Sequence, residues 1–368
     1  AVTGSAGKTT TKEALRHVLS AVGKVHASAQ SFNNHWGVPL TLARMPADCD
    51  YAVFEIGMNH PDEIRPLVKM VRPHVAIITL IAAAHLGFFR NLDEIAMAKA
   101  EIFEGIEPDG AALLNRDDAR WKLLEKMARG AGVAHILGFG ENARSTFRLM
   151  KCELYADHSR IIARIGGADI AIRIGAPGRH IVQNALAVLG AAYLAGADIE
   201  KVGAAFADLS AERGRGRRHI LHHPDGPITL IDESYNANPA SMGAAMALLN
   251  ATPVSGEGRR IAVLGDMLEL GEHSRKLHAA LASLIVGTGT HTVFLGGPEM
   301  RALADALPAG EVETQYRTGA EELKPLLLSA VRPGDVVMVK SSKGIGFSKL
   351  VEALLGRFPP DAAAYKAQ

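Results

Sequence analysis

The chain is poor in cysteine, in aromatic residues and in charge of one sign. Cys49 and Cys152 are the two cysteines among 368 residues, which excludes a disulfide framework and predicts a cytoplasmic protein with reduced thiols. Forty basic and 39 acidic residues leave a formal net charge of +1, so there is no global attraction to nucleic acid or to an anionic membrane. No run approaches the ~18 apolar residues of a membrane-spanning helix. We therefore expect no nucleic-acid partner and no membrane insertion.

What the sequence does contain is typical of a globular protein. Hydrophobic residues make up 48% and charged residues 21%, which excludes a disordered or fibrous chain. At ~150 residues per domain, the length predicts two or three domains. Residues 1–4 have the pattern of a strand already in progress, so we expect residues upstream of Ala1.

Strand and helix patterns alternate through the first part of the chain. They comprise helical periodicity at 9–22, 62–71 and 93–106 and short apolar runs at 51–56 and 75–81. This alternation predicts a parallel sheet covered by helices. Residues 160–165 and 169–174 flank Gly166 and Gly167, which predicts a hairpin in a small antiparallel sheet, and a helix is expected at 182–195.

A basic, glycine-rich segment at 210–218 separates this part from a second series of strands. The segment fits a solvated linker or a phosphate contact, and the sequence leaves both open. Apolar runs follow at 228–231, 261–264, 292–295 and 335–339. We predict an α/β fold of two domains: a domain with a parallel sheet and a small antiparallel sheet at 1–212, and a doubly wound, Rossmann-like domain at 213–368.

The strongest local motif is the phosphate loop Thr-Gly-Ser-Ala-Gly-Lys-Thr-Thr at residues 3–10. Its glycines allow backbone N–H groups to surround phosphate oxygens, Lys8 reaches the β- and γ-phosphates, and the Thr9 hydroxyl can hold Mg²⁺. It departs from a strict Walker A loop because Val2 stands where that pattern has glycine. The residues expected to bind ATP here are Gly4, Ser5, Ala6, Gly7, Lys8, Thr9 and Thr10.

Three further residues have the wrong polarity for their surroundings. Glu55 lies near the end of the apolar run 51–56 and needs a partner, either a metal ion or a loop that it caps. His85, at the end of the next apolar run, is either structural or a metal ligand. Lys99 lies in the apolar stripe of its predicted helix, either with its ammonium extending to solvent or as part of a site.

The loop resembles that of the Mur ligases, and further motifs of that family follow in the same order. They lie at residues 32–40, 54–60, 84–86, 98–102, 178–184, 232–239 and 264–271, so the resemblance covers nearly the whole chain. It implies an ATP-dependent, ADP-forming amide ligase that adds D-alanyl-D-alanine to UDP-N-acetylmuramoyl-tripeptide (UDP-MurNAc-tripeptide) through an acyl phosphate. Both substrates are small molecules, the enzyme is expected to be a monomer, and its pathway is peptidoglycan synthesis.

The resemblance also implies roles for single residues. Thr9, Glu55, His85 and a carbamylated Lys99 would hold two Mg²⁺ ions, with Lys8, His85 and Lys99 as catalytic residues. Those that would contact ATP beyond the loop are Asn184, Arg215, Asp232 and Asn236, and Asn33 and Asn34 would contact the peptide substrate. The sequence itself leaves open whether Asp232 meets a ribose hydroxyl or caps a helix.

Two departures from the family pattern bear on these expectations. The family's N-terminal domain, which binds the UDP-sugar, has no counterpart in the sequence, and Leu80 stands where asparagine is common. Two alternatives remain: another ligase with this core, such as folylpolyglutamate synthetase or a different Mur step, or a P-loop ATPase without ligase activity.

Overall fold

The structure, a computed structural model, describes residues 1–360 in two compact α/β units, the first Ala1–Ser210 and the second beginning at Ala211. Within residues 1–360, no helix combines the length and the apolar character needed to cross a membrane.

The first unit is built on a sheet whose outer strands reverse direction. Its strands are β1 Val2–Thr3, β2 Val25–Ala27, β3 Tyr51–Val53, β4 Val75–Ile78, β5 Ala111–Asn115, β6 His135–Gly140, β7 Phe147–Leu154, β8 Ser159–Ile165 and β9 Ala168–Ile174. The order β1-β4-β5-β6-β7-β8-β9 is parallel up to β7, and β7, β8 and β9 are antiparallel. β3 continues the sheet beyond β1, because Val2 N donates to Phe54 O (2.8 Å) and Ile56 N to Val2 O (2.9 Å), while β2 pairs with β3. The carboxyl ends of β1, β3 and β4 therefore lie side by side.

Helices cover both faces of this sheet. They are α1 Lys8–Leu19, α2 Gly37–Ala43, α3 Ile64–Val71, α4 Leu92–Ala100, α5 Trp121–Gly130, α6 Arg179–Leu194 and α7 Ile199–Ala205, with 3₁₀ turns at Leu86–Phe88, Glu101–Gly105 and Phe206–Asp208. Alternate residues of a strand face opposite sides of a sheet. Accordingly Ile77 joins the core formed with α1 and α6, whereas Ile78 joins the core formed with α3, α4 and α5.

The second unit is a six-stranded sheet with helices on both faces. Its strands are β10 Arg217–Leu221, β11 Ile228–Glu233, β12 Arg260–Gly265, β13 Thr292–Gly296, β14 Glu313–Arg317 and β15 Val336–Lys340. The order is β10-β11-β15-β12-β13-β14, parallel except for β10. The helices are α8 Pro239–Ala251, α9 Ser274–Ala280, α10 Ala282–Ile285, α11 Arg301–Ala306, α12 Ala320–Ala330 and α13 Ser348–Arg357, with 3₁₀ turns at Gly271–His273 and Lys343–Ile345.

The α/β class and the hairpin formed by β8 and β9 are confirmed. Several predicted boundaries differ from the structure; the strand predicted at 51–56, for example, ends at Val53. The strand predicted at 75–81 ends at Ile78, so His85 lies in a loop seven residues beyond the strand rather than at its end. The helix predicted at 93–106 is α4 followed by a 3₁₀ turn. The basic segment at 210–218 is not all linker, because Arg217 and Arg218 begin β10.

Candidate functional site

The phosphate loop connects β1 to α1 and has a backbone that only glycine adopts without strain. Gly4 has φ +149° and Gly7 has φ +84°. A Cβ on Gly4 would lie 1.9 Å from Thr79 Oγ1, so β4 and the loop pack without room for a side chain. Ser5 N donates to Leu80 O (2.7 Å) and Thr79 Oγ1 to Ala6 O (2.5 Å). The loop that follows β4 therefore fixes the phosphate loop.

Lys8 is the first residue of α1, so its side chain and the free N–H groups of the first helical turn lie at the same end of the helix. Its ammonium donates to Gly4 O (2.7 Å) and lies over the loop. Thr9 Oγ1, the predicted magnesium ligand, is 3.3 Å from Ser31 Oγ, and Thr10 continues the helix. This end of α1 is arranged as an anion site.

Asn184, in α6, lies beside this loop. A Cβ on Gly7 would be 2.7 Å from Asn184 Oδ1 and 3.2 Å from Asn184 Nδ2. The structure thus brings together two predicted site residues that are 177 positions apart in the sequence.

Glu55 is a buried carboxylate with one oxygen in use. Its side chain is 1% exposed and Oε1 accepts from Asn33 Nδ2 (2.7 Å). Oε2 has no hydrogen-bond partner among residues 1–360. A buried acceptor without a partner costs about 1–3 kcal/mol, and a charged one costs more, so such atoms occur mainly where a ligand or an ion binds. A hard, oxygen-binding cation fits this atom.

Lys99 is buried in the apolar stripe of α4, 1% exposed, as the sequence predicts. Burial, and to a lesser degree the Lys8 ammonium, hold the pKa of Lys99 well below its ordinary value. Lys99 therefore has a larger share of the neutral, nucleophilic amine than a surface lysine has.

His85 lies between β4 and a 3₁₀ turn, half-buried, with a left-handed backbone at φ +61°. In the part of the chain that the structure describes, no group of three or more His, Cys, Asp or Glu side chains could hold a metal ion. Glu55 could hold a metal at this edge together with hydroxyl and phosphate oxygens. Mg²⁺ is commonly bound in this way, by one or two carboxylates and the substrate's phosphates.

The other predicted peptide contact, Asn34, is exposed and holds the start of α2. Its Oδ1 accepts from Trp36 N (3.1 Å) and Gly37 N (3.0 Å). Asn33 instead contacts Glu55, so the two neighbouring asparagines have different local roles.

The three predicted ATP contacts of the second unit surround the loop after β11. Asp232 Oδ2 accepts from Gly214 N (2.8 Å), and Oδ1 accepts from Ser234 N (3.1 Å) and Oγ (2.6 Å). Asp232 therefore does not cap a helix: the N-cap of α8 is Asn238. The Arg215 guanidinium lies 4.2 Å from the centre of the Tyr235 ring, and Asn236 is exposed, its Oδ1 accepting from Ala237 N (2.9 Å).

Sequence reasoning missed the residues that support the site. Asn115 Nδ2 donates to Thr79 O (3.1 Å), and Asp118 Oδ2 accepts from Ile81 N (2.7 Å), so both hold the loop between β4 and His85. The available signal was a polar residue at the end of a buried strand, Asn115, and another three positions later, Asp118. Lys12, which is fully buried, was also missed.

Comparison with known proteins follows the same division of the chain. Residues 2–192 match the family model of the Mur ligase middle domain, and residues 216–343 match that of the Mur ligase, glutamate ligase domain. The UDP-N-acetylmuramoyl-tripeptide–D-alanyl-D-alanine ligase of Rickettsia prowazekii is 33% identical over 352 residues, 96% of this chain and 77% of that protein. The ligase of the same name from Escherichia coli is 33% identical over 355 residues, 96% of this chain and 76% of that protein.

Solved structures of MurF proteins have the same fold as this chain. MurF from Acinetobacter baumannii superimposes with a TM-score of 0.86 at 29% identity, covering 96% of this chain and 76% of that one. The MurF ligase of Thermotoga maritima, solved in complex with ADP, has the same fold, with a TM-score of 0.82 at 24% identity, covering 97% of this chain and 79% of that one. On this evidence, the chain belongs to the Mur ligase family.

Proposed function

We propose that the protein is an ATP-dependent peptide ligase that adds D-Ala-D-Ala to UDP-MurNAc-tripeptide in peptidoglycan synthesis. Both curated relatives described above have this activity in their names. The observation that supports it most directly is the edge of the first sheet, where the phosphate loop follows β1 and, after the neighbouring β3, a buried carboxylate has an oxygen without a partner among residues 1–360.

The chemistry follows from the poor reactivity of a carboxylate. A carboxylate oxygen of the tripeptide attacks the γ-phosphorus of ATP, the bond to the β–γ bridging oxygen breaks, and an acyl phosphate and ADP form. The amine of D-Ala-D-Ala then attacks the acyl carbon, and the tetrahedral intermediate expels phosphate while the amine loses a proton. Negative charge develops on phosphoryl oxygens, where the Lys8 ammonium and the loop N–H groups stabilise it.

We propose that Thr9, Glu55 and His85, with a carbamylated Lys99, hold two Mg²⁺ ions. The unpartnered Glu55 Oε2 fits this role. When bound, the ions would neutralise charge on the phosphate oxygens. The chain's own part is to hold these side chains in a dry site, with Glu55 oriented by Asn33.

Carbamylation of Lys99 is chemically reasonable in this environment. The ammonium first loses a proton, and the neutral amine then attacks CO₂, forms a C–N bond and releases a second proton, which turns a cationic side chain into an anionic one. Burial and the Lys8 cation both favour the neutral amine over the ammonium, and the Lys8 cation also attracts the anionic product.

The roles of the other predicted site residues are also proposals. Asn184, Arg215, Asp232 and Asn236 would contact ATP, and Asn33 and Asn34 the peptide. We place ATP binding in 1–212 and the ligase domain in 213–368. We also propose that the protein is a monomer and is located in the cytoplasm.

The test is ADP release with UDP-MurNAc-tripeptide, ATP and a panel of amines, with the product mass measured. We expect release that depends on D-Ala-D-Ala and a product heavier by that dipeptide less one water. Release with another amino acid would indicate a different Mur step, and release with glutamate and a folate would indicate a folylpolyglutamate synthetase. Phosphate release without any amine would indicate an ATPase.

A further inference from the structure

Lys12 is a lysine with no access to solvent, on the second turn of α1. Its exposed fraction is 0%, and Nζ donates to Ser28 O (2.8 Å) and Gln30 O (2.7 Å) and pairs with the Glu13 carboxylate. Burial of an ammonium is costly unless it is paired and hydrogen-bonded, and here three acceptors satisfy its three protons. Two of these acceptors are backbone carbonyls of one loop, so the lysine fixes the path of that loop.

The loop at residues 28–33 touches two of the proposed magnesium ligands, Thr9 and Glu55. Ser31 Oγ lies 3.3 Å from Thr9 Oγ1, and Asn33 Nδ2 donates to Glu55 Oε1 (2.7 Å). Ser28 Oγ accepts from the Glu55 backbone N–H (3.2 Å). Lys12 holds Ser28 and Gln30, so two of these contacts are made by a residue that Lys12 holds or by its neighbour, and Asn33 lies three positions after Gln30 in the same loop.

The backbone of the loop needs this support. Gln30 has φ +48°, in the left-handed region that costs a non-glycine residue about 1–2 kcal/mol. Its carbonyl accepts from the Lys12 ammonium, a charge-assisted bond about twice as strong as a neutral one. Without this bond, the loop would be free to relax and move Ser31 and Asn33.

We propose that Lys12 is a positioning residue for the magnesium–nucleotide site, acting through the loop 28–33 on Thr9 and Glu55. The inference rests on the proposed function only in taking Thr9 and Glu55 as magnesium ligands. A lysine that merely joins helix to loop would stabilise the fold without affecting how magnesium and nucleotide bind together. If Lys12 positions the site, its substitution should change the coupling between magnesium binding and nucleotide binding. If Lys12 only stabilises the fold, that coupling should stay the same.

The experiment measures that coupling on the full chain. The dissociation constant of the non-hydrolysable analogue adenosine 5′-(β,γ-imido)triphosphate is determined by calorimetry in MgCl₂ and again in EDTA. The coupling is the constant in EDTA divided by the constant in MgCl₂. Lys12→Met keeps the length of the side chain and removes its donors. Arg16→Met is the matched control, because Arg16 pairs with the same Glu13 from the same helix but has no bond to the loop. Circular dichroism and thermal unfolding establish that each variant is folded.

We expect Lys12→Met to lower the coupling about tenfold or more, the effect typical of residues that orient metal ligands, with the constant in EDTA nearly unchanged. Lys12→Arg should recover part of the loss, and Arg16→Met should match the unsubstituted chain. The proposal would be overturned by an unchanged coupling in Lys12→Met, that is, by affinity for the analogue that falls equally with and without magnesium or does not fall at all. If Lys12→Met does not fold, Lys12→Gln, which keeps one amide donor, is read by the same criteria.

The assay separates this inference from the proposed function. A chain that binds the analogue with magnesium but forms no product from D-Ala-D-Ala leaves Lys12 testable and refutes the ligase. A chain whose binding of the analogue does not depend on magnesium refutes the Lys12 proposal, whatever amine it uses.

Discussion

Glu55 and Lys99 are buried in apolar surroundings, where neither residue type contributes to a stable core. Glu55 has an oxygen without a partner in the described chain, and Lys99 has a depressed pKa. Groups of this kind are retained at functional sites at some cost in stability. Substitution of either residue is therefore predicted to affect activity without a matching loss of stability.

For Glu55, the substitution Glu55→Gln keeps the shape and removes the charge. If Glu55 is a magnesium ligand, we expect ADP formation at saturating magnesium to fall about 100-fold or more, because a metal contributes several kcal/mol to transition-state stabilisation. The melting temperature in EDTA should not fall, because no charge remains buried. Glu272→Gln, at a side chain that is 89% exposed, is the control for loss of a carboxylate. A lower melting temperature with activity retained would make Glu55 structural.

For Lys99, the prediction concerns the modification. The chain is incubated with ¹³C-bicarbonate and its ¹³C NMR spectrum is recorded at mildly alkaline pH, because the carbamate is acid-labile. We expect a carbamate signal that is lost in Lys99→Arg and retained in Lys69→Arg, whose lysine side chain is 58% exposed. Electron density that ends at an ordinary ammonium in a metal-loaded crystal would contradict the proposal.

Among single residues, the sequence identified those whose neighbours in the chain mark them as candidate site residues. The phosphate loop is one continuous motif, and Lys99 is conspicuous among Ile95, Ile102 and Phe103. Lys12 was invisible, because it lies in a polar stretch at the start of a helix, where lysine usually faces water. Its burial depends on carbonyls of Ser28 and Gln30, which only the tertiary fold brings to it.

Among the elements, the loop between β4 and the 3₁₀ turn determines where His85 lies. Nothing in an apolar run marks the residue at which hydrogen bonding to a neighbour stops, so the strand was predicted three residues too long. The true end depends on partners: Ile78 pairs with Thr3 and Leu114, and Thr79 turns to the phosphate loop. β10 was missed for a related reason, because Arg217 and Arg218 belong to an edge strand whose basic composition resembles that of a linker.

Asp118 gives a prediction at this level. Its Oδ2 accepts from Ile81 N inside the loop, so Asp118→Ala leaves a buried N–H without a partner, at a cost of about 1–3 kcal/mol. We also expect kcat to fall about tenfold, with a smaller change in the KM for ATP, because the loop orients His85. Asp48→Ala is the matched control: that side chain is 69% exposed and its ion pair with Lys24 should contribute little. Loss of stability with kcat unchanged would show that the position of His85 does not matter for turnover.

For the whole molecule, the hydrophobic cores follow the division into units. Two cores consist of residues between Val2 and Leu209, and two of residues between Leu221 and Phe358. The alternation of strands and helices predicted the α/β class of both units, because each unit repeats one simple pattern. The order of strands could not be predicted, since β15 lies between β11 and β12 through contacts distant in sequence.

A unit with its own cores should fold without the other. We expect the fragment 1–210 to unfold cooperatively on heating and to bind the imido analogue of ATP, because the phosphate loop, Glu55, Lys99 and Asn184 all lie within it. Its affinity should be lower than that of the full chain if Arg215, Asp232 and Asn236 contribute to binding, as proposed. The fragment 1–174 is the control: it lacks α6, whose residues from Ile181 to Ala192 fill one core, and it should not give a cooperative transition. Circular dichroism and calorimetry measure both properties, and a fragment 1–210 that fails to fold would show that the units are not independent.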